Sequence, residues 1–128
     1  MSAMEIGKKL IEYCQANENR KAIEELYADD AVSIEAMAMD PEKGRETKGK
    51  DAILAACDWF NENMEVHDGG MEGPYPCDDE FIVPMWIDLT PKTGGMAGNR
   101  MKMSEAARYK VRDGKIVEAR YYYDVEGC

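Results

Sequence analysis

Residues 99–124 read NRMKMSEAARYKVRDGKIVEARYYYD, and their alternation decides the fold. Asp113-Gly114 separates two runs, and an Asp-Gly pair holds the positive φ angles of a two-residue hairpin turn. In the first run Met101, Met103, Ala107, Tyr109 and Val111 share one face, with Lys102, Ser104, Arg108, Lys110 and Arg112 on the other. In the second, Val117, Ala119, Tyr121, Tyr123 and Val125 alternate with Glu118, Arg120, Tyr122 and Asp124. The pattern predicts two long strands, each with a core side and an outer side. Glu105 breaks it, because it is a carboxylate on the apolar side, at the edge of a core or in a cavity.

Upstream, the glycine-rich 93–98 turns the chain into this hairpin, and Phe81 to Thr90 is a further strand with apolar residues on both faces. Pro84, lacking an N–H, suggests an edge or bulged position for that strand. Before it, Pro74, Pro76 and Asp78-Asp79 set off a weaker strand from Val66 to Gly73. Ile53, Cys57, Phe60 and Met64 recur at helical spacing after Gly49. Near the start, Ile6, Leu10, Tyr13 and Cys14 mark a helix from Met4 to about Ala16, and Ala22, Ile23, Leu26 and Tyr27 a second that ends at Asp29-Asp30. A strand from Ala31 to Ala38 and a polar loop from Met39 to Lys48 complete the chain. Helices gathered on one side of a mostly antiparallel sheet are the α+β arrangement, and 128 residues are read as one domain, 1–128.

The chain carries 26 acidic and 16 basic residues, a net charge of −10. That balance repels phosphate backbones and anionic bilayers, so nucleic acid and membrane are not expected partners. No run is long and apolar enough to span a bilayer. Cys14, Cys57, Cys77 and Cys128 form no CxxC pair and follow no secretory leader; they read as free thiols in the cytoplasm, the first two within helix cores.

Three segments, AIEELYADDAVSIEAM (22–37), KGKDAI (48–53) and YKVRDGKIVEARYYYD (109–124), resemble the nuclear transport factor 2-like superfamily, in particular its SnoaL-like branch, distantly related to ketosteroid isomerase. The resemblance implies a strongly bent mixed, mostly antiparallel sheet wrapped around three N-terminal helices to form a cone. It also implies an apolar small-molecule pocket and a homodimer through the outer sheet face. It does not imply one reaction, because that superfamily hosts many. Aligned on Asp29-Asp30, the isomerase's proton-shuttling carboxylate falls on Glu35. Its oxyanion-holding tyrosine falls near Ile11, with Tyr13 two residues away, and its oxyanion-holding acid on Ala107, so its reaction is not carried over. Tyr121 stands where limonene epoxide hydrolases have a last-strand carboxylate, which removes that reaction too.

Three residues are candidate proton carriers. Glu35 has two readings: alternation with Val32, Ile34 and Ala36 puts it outside with Ser33, whereas the resemblance puts it inside. Glu105 is either an acid with its pKa raised by desolvation or a partner of Arg100 or Arg120. His67, the single histidine, is a general base or an exposed strand residue, and its isolation argues against a histidine-built metal site. Met37, Phe60, Met64, Met85, Met103, Tyr109, Tyr121 and Tyr123 are expected to line or underlie the pocket. No nucleotide or phosphate loop is present, and no cofactor is expected. Two functions follow: a cofactor-free acid–base enzyme of isomerase, cyclase or lyase type acting on a hydrophobic small molecule, or a non-catalytic ligand-binding or dimerisation module. Missing oxyanion donors favour the second, and an interior carboxylate the first.

Overall fold

The computed structural model describes residues 1–38 and 41–124. Met39, Val125 and Cys128 lie outside the described residues. Three helices, α1 (Ala3–Gln15), α2 (Asn19–Leu26) and α3 (Lys50–Asn63), accompany strands β1 (Tyr27–Ile34), β2 (Glu46–Lys48), β3 (Met64–Met71), β4 (Tyr75–Cys77), β5 (Glu80–Pro91), β6 (Met101–Arg112) and β7 (Lys115–Tyr122). The sheet runs β2-β1-β7-β6-β5-β3, with β4 also on β5. Every pairing is antiparallel except β1 with β7. This open, mixed sheet with three helices is the expected α+β cone.

The hairpin sits at its centre. Asp113 and Gly114 adopt φ of 52° and 75°, and β6 pairs with β7 from Arg112↔Lys115 to Ala106↔Tyr122. Ala107, Tyr109 and Val111 are buried, as alternation requires. The core face of β7 differs from expectation. A bulge shifts the register so that Val111 opposes Ile116 and Lys110 opposes Glu118, leaving Val117 as the extra residue. Ile116, not Val117, therefore enters the core beside Ala119.

Ser2 starts α1 in a reciprocal capping box with Glu5, and the buried side of the helix is Ala3, Ile6, Gly7 and Leu10. A Cβ on Gly7 would lie 2.8 Å from Pro74 Cβ and 3.1 Å from Phe81, so only glycine lets α1 approach the sheet this closely. The core forms between α1, α2 and the inner sheet face, where Phe81 stacks on Tyr109 with ring centroids 4.9 Å apart.

Several boundaries correct the sequence reading. Tyr27 is not the last helical position of α2; it turns into extended backbone and pairs with Ile116, so β1 takes in Asp29 and Asp30. The chain between β1 and α3 is not all loop, since Glu46–Lys48 pairs with β1. Tyr75–Cys77 pairs with β5. Nor is β5 an edge: β6 lies on one side and β3 and β4 on the other. Pro84 is tolerated there because its missing donor faces the gap between β3 and β4, where its carbonyl instead accepts the Glu72 N–H at 2.9 Å.

On the outer face Trp86 lies across Gly70, with Lys102 Nζ 4.3 Å from the ring centroid on β6. A Cβ at Gly70 would fall 2.3 Å from the indole nitrogen. Gly70→Ala should therefore expel the indole and cost roughly 1–3 kcal/mol. Chemical denaturation and tryptophan emission in a Trp59→Phe background check this: the variant should unfold earlier with a red-shifted native emission, and an unchanged spectrum would remove Trp86 from Gly70.

Candidate active site

The inner face of the sheet collects polar groups at one end. On β1 the register sets Ser33 beside the buried Ala119 and Ile34 beside Arg120, so Ala31, Ser33 and Glu35 share the inner side. That resolves the two readings of Glu35 inward, and simple alternation failed because Val32 and Ile34 are themselves half-buried on the other side. The backbone of Glu35 is fixed at β2: its N–H donates to the Arg45 carbonyl and Arg45 Nε donates to its carbonyl, both at 2.9 Å.

Glu105 stands opposite Met85 on β5, between Met103 and Ala107. Among the described residues no ion pair includes it. Arg100 is held by Asp88 at 2.8 Å, and Arg120 lies over the Tyr122 ring, 5.6 Å from its centroid. Burial, then the negative charge of Glu35, pushes the Glu105 carboxyl up to about 7. Glu35 is raised by burial as well, opposed by a hydrogen bond from Tyr123 Oη to its Oε2 at 3.1 Å. Burial and the Glu35 charge push the Tyr123 hydroxyl up to about 12.

Behind this pair lie three further hydroxyls. Tyr27, Tyr121 and Tyr109 neighbour one another, the Tyr109 and Tyr121 rings edge-on with centroids 6.4 Å apart, and burial holds each pKa well above the ordinary tyrosine value. Glu35 acts on Tyr121 through its charge, and Glu105 on Tyr109. Sequence reading missed Tyr27 here, because its spacing from Ala22, Ile23 and Leu26 fitted a helix. Tyr109 is only 3% exposed and belongs to the packed core rather than to an open wall. Among the remaining expected lining residues, Met37 is exposed, while Phe60, Met64, Met85 and Met103 are half-buried. His67 stands apart from the glutamates. Its Nε2 lies 2.7 Å from Thr90 Oγ1, which shares the outer face of β5 with Asp88, and the ring is exposed.

A depression of about 80 Å³ lies elsewhere, among Tyr75, Cys77, Glu80, Phe81, Ile82 and Arg108. It is smaller than ligand pockets usually are. Cys14, Cys57 and Cys77 are free thiols, and burial raises the Cys14 pKa to about 11. No three His, Cys, Asp or Glu side chains gather as a metal site would need among the described residues, and no described helix is long and apolar enough to cross a membrane.

A bent open sheet enclosing helices, with acids and tyrosines on its inner face, defines an α+β cone of the nuclear transport factor 2 type. The SnoaL-like domain family matches residues 1–123, and the chain belongs to that family. A protein from Mesorhizobium loti, provisionally described as a SnoaL-like polyketide cyclase, is 39% identical over 96% of this chain and 100% of its own, with a TM-score of 0.87. A Pseudomonas putida protein, provisionally described as a polyketide cyclase, has 16% identity and a TM-score of 0.73 over 98% of this chain and 94% of its own. A ketosteroid isomerase-like fold from Catenulispora acidiphila, solved with trimethylamine, also has 16% identity and a TM-score of 0.73, over 97% of this chain and 88% of its own. These last two show the fold alone. No curated protein matches the chain significantly.

The raised Glu105 pKa carries a stability consequence. A carboxyl whose folded value lies near 7, above its ordinary 4.5, contributes stability that is fully present below about pH 4.5 and is lost as pH rises through 7. The full interval corresponds to on the order of 3 kcal/mol as a ceiling. Glu105→Gln removes the titration, so urea denaturation across pH 5–8 should show a smaller fall in the variant, leaving it the more stable protein at the alkaline end. A variant destabilised at pH 8 relative to wild type would mean that the carboxylate has a cationic partner.

Proposed function

We propose that this chain is a cofactor-free acid–base enzyme that moves protons on a hydrophobic carbonyl compound, in the manner of an isomerase, a lyase or a cyclase. The observation that carries this reading is the pairing of Glu35 and Glu105 on one inner face without a cation. Two half-buried carboxyls that repel one another hold a proton near neutrality, so one can accept a proton while the other donates. Enolisation uses both functions: one carboxyl takes the proton from the carbon beside a carbonyl, and the other gives its proton to the carbonyl oxygen. The enol then isomerises or attacks a second carbonyl of the same molecule. Glu105, kept protonated near neutrality, supplies a donor to a carbonyl oxygen that a positional match to ketosteroid isomerase leaves out, which weighs against a purely ligand-binding or dimerisation module. Met85 and Met103 flank the acids and suit an apolar ligand of variable shape, and the description of the Mesorhizobium loti relative is consistent with a polyketide-like one.

The test is solvent deuterium incorporation into a panel of apolar β-diketones and β-keto esters, followed by mass spectrometry. Wild type should accelerate exchange at the activated carbon, and Glu35→Gln and Glu105→Gln should each lower the rate at least ~100-fold. No acceleration across the panel, or equal rates in the variants, contradicts the proposal.

A homodimer through the outer sheet face belongs to the same reading. Ile82 and Tyr122, 45% and 47% exposed there, are the apolar side chains that such an interface would cover. Trp86 is not the free centre of that face, since it is folded onto Gly70. Light scattering should return about twice the 14.4 kDa chain mass, and Ile82→Glu should return the single chain. A wild-type protein of single-chain mass at micromolar concentration contradicts the dimer. The unpaired thiols Cys14, Cys57 and Cys77 are consistent with a reducing cytoplasm.

A further inference from the structure

We infer that Tyr123 assigns the two carboxyls their roles: by donating a hydrogen bond to Glu35 and none to Glu105, it makes Glu35 the base and Glu105 the acid. The inference rests on the acid–base reading above and adds to it a direction and a positioning residue.

The geometry is one-sided. Tyr123 Oη donates to Glu35 Oε2 at 3.1 Å, which commits the hydroxyl proton to the carboxylate. A hydrogen bond to the ionised form stabilises that form. Glu105 receives no hydrogen bond among the described residues; what acts on it is burial and the charge of Glu35. Around Glu35 stand Tyr121 from β7, Tyr123 just past the end of that strand and Glu105 from β6, with Arg45 engaged only through the backbone carbonyl. Around Glu105 stand Met85 from β5, Tyr109 from its own strand, Tyr123 and Glu35. Neither set includes a lysine or arginine side chain acting on a carboxyl, so Tyr123 is the one group that distinguishes the two acids by a direct bond. Tyr121 is not a substitute, because Glu35 acts on it through charge and not through a hydrogen bond.

Deprotonated Glu35 is then placed to take a proton from carbon. Protonated Glu105 is placed to give one to oxygen; when the carbonyl re-forms, Glu105 takes that proton back and Glu35 delivers its own to carbon or exchanges it with solvent. Tyr123 touches no reacting atom in this scheme, so its loss should alter pH behaviour more than substrate affinity.

The experiment is a carboxyl-carbon NMR titration of selectively labelled Glu35 and Glu105 in wild type and in Tyr123→Phe. In wild type Glu35 should titrate below Glu105. In the variant the Glu35 midpoint should rise by about one pH unit, the worth of one hydrogen bond to a charged acceptor, and the Glu105 midpoint should fall because its neighbour is less often charged. Backbone amide spectra establish that the variant is folded, and the order of the wild-type midpoints tests the inference without any substitution. Glu105 titrating below Glu35 in wild type, or midpoints that do not move in a folded variant, overturns it. The expected titrations without deuterium exchange would uphold the role of Tyr123 and refute the enzyme. Exchange that depends on both glutamates with unmoved midpoints would do the reverse.

Discussion

Two carboxyl groups that lose water on the same side of one sheet cannot both hold their charge without cost, and no cation is supplied to relieve them. Most of the architecture around Glu35 and Glu105 follows from tolerating this. The one group that bonds either carboxyl directly among the described residues, Tyr123, donates to Glu35 without carrying charge. The cationic side chains of β6 and β7 point the other way, where Arg108 pairs with Glu118 and Glu80. The pleat enforces the separation, because a residue one step along a strand changes faces.

That separation links the packing to the chemistry. Phe81, Val83, Ala107 and Tyr109 close the inner face beneath the acids, and α1 lies tight against it because Gly7 carries no side chain to meet Pro74. A floor of ring contacts, Phe81 stacked on Tyr109 and Tyr109 edge-on to Tyr121, holds the tyrosines in fixed relation to the carboxyls. The parallel pairing of β1 with β7 delivers Glu35 from a distant part of the sequence to the side of Tyr123.

Much of this was legible in the sequence. The Asp113-Gly114 turn and the alternation around it placed Glu105 inside, and periodicity located the helices. What escaped was of three kinds. Glu46–Lys48 and Tyr75–Cys77 are three residues each, too short to carry a period to read. The bulge at Val117 exchanged one apolar residue for its neighbour, and no local pattern distinguishes Val117 from Ile116. Tyr27 opens β1 and Glu35 follows its last residue, on a strand whose two faces both carry buried or half-buried residues, where alternation loses its meaning, and the register of β1 with β7 orients them. The pairing of Tyr123 with Glu35 spans most of the chain and belongs to the tertiary fold alone.

Neutron diffraction from crystals grown in heavy water just below neutrality tests the central claim most directly, because it locates the deuterons. The account predicts a deuteron on the Glu105 carboxyl, a bare Glu35 carboxylate and the Tyr123 deuteron directed at it. A bare Glu105 paired with an arginine or lysine, or a Tyr123 hydroxyl turned away from Glu35, would contradict it.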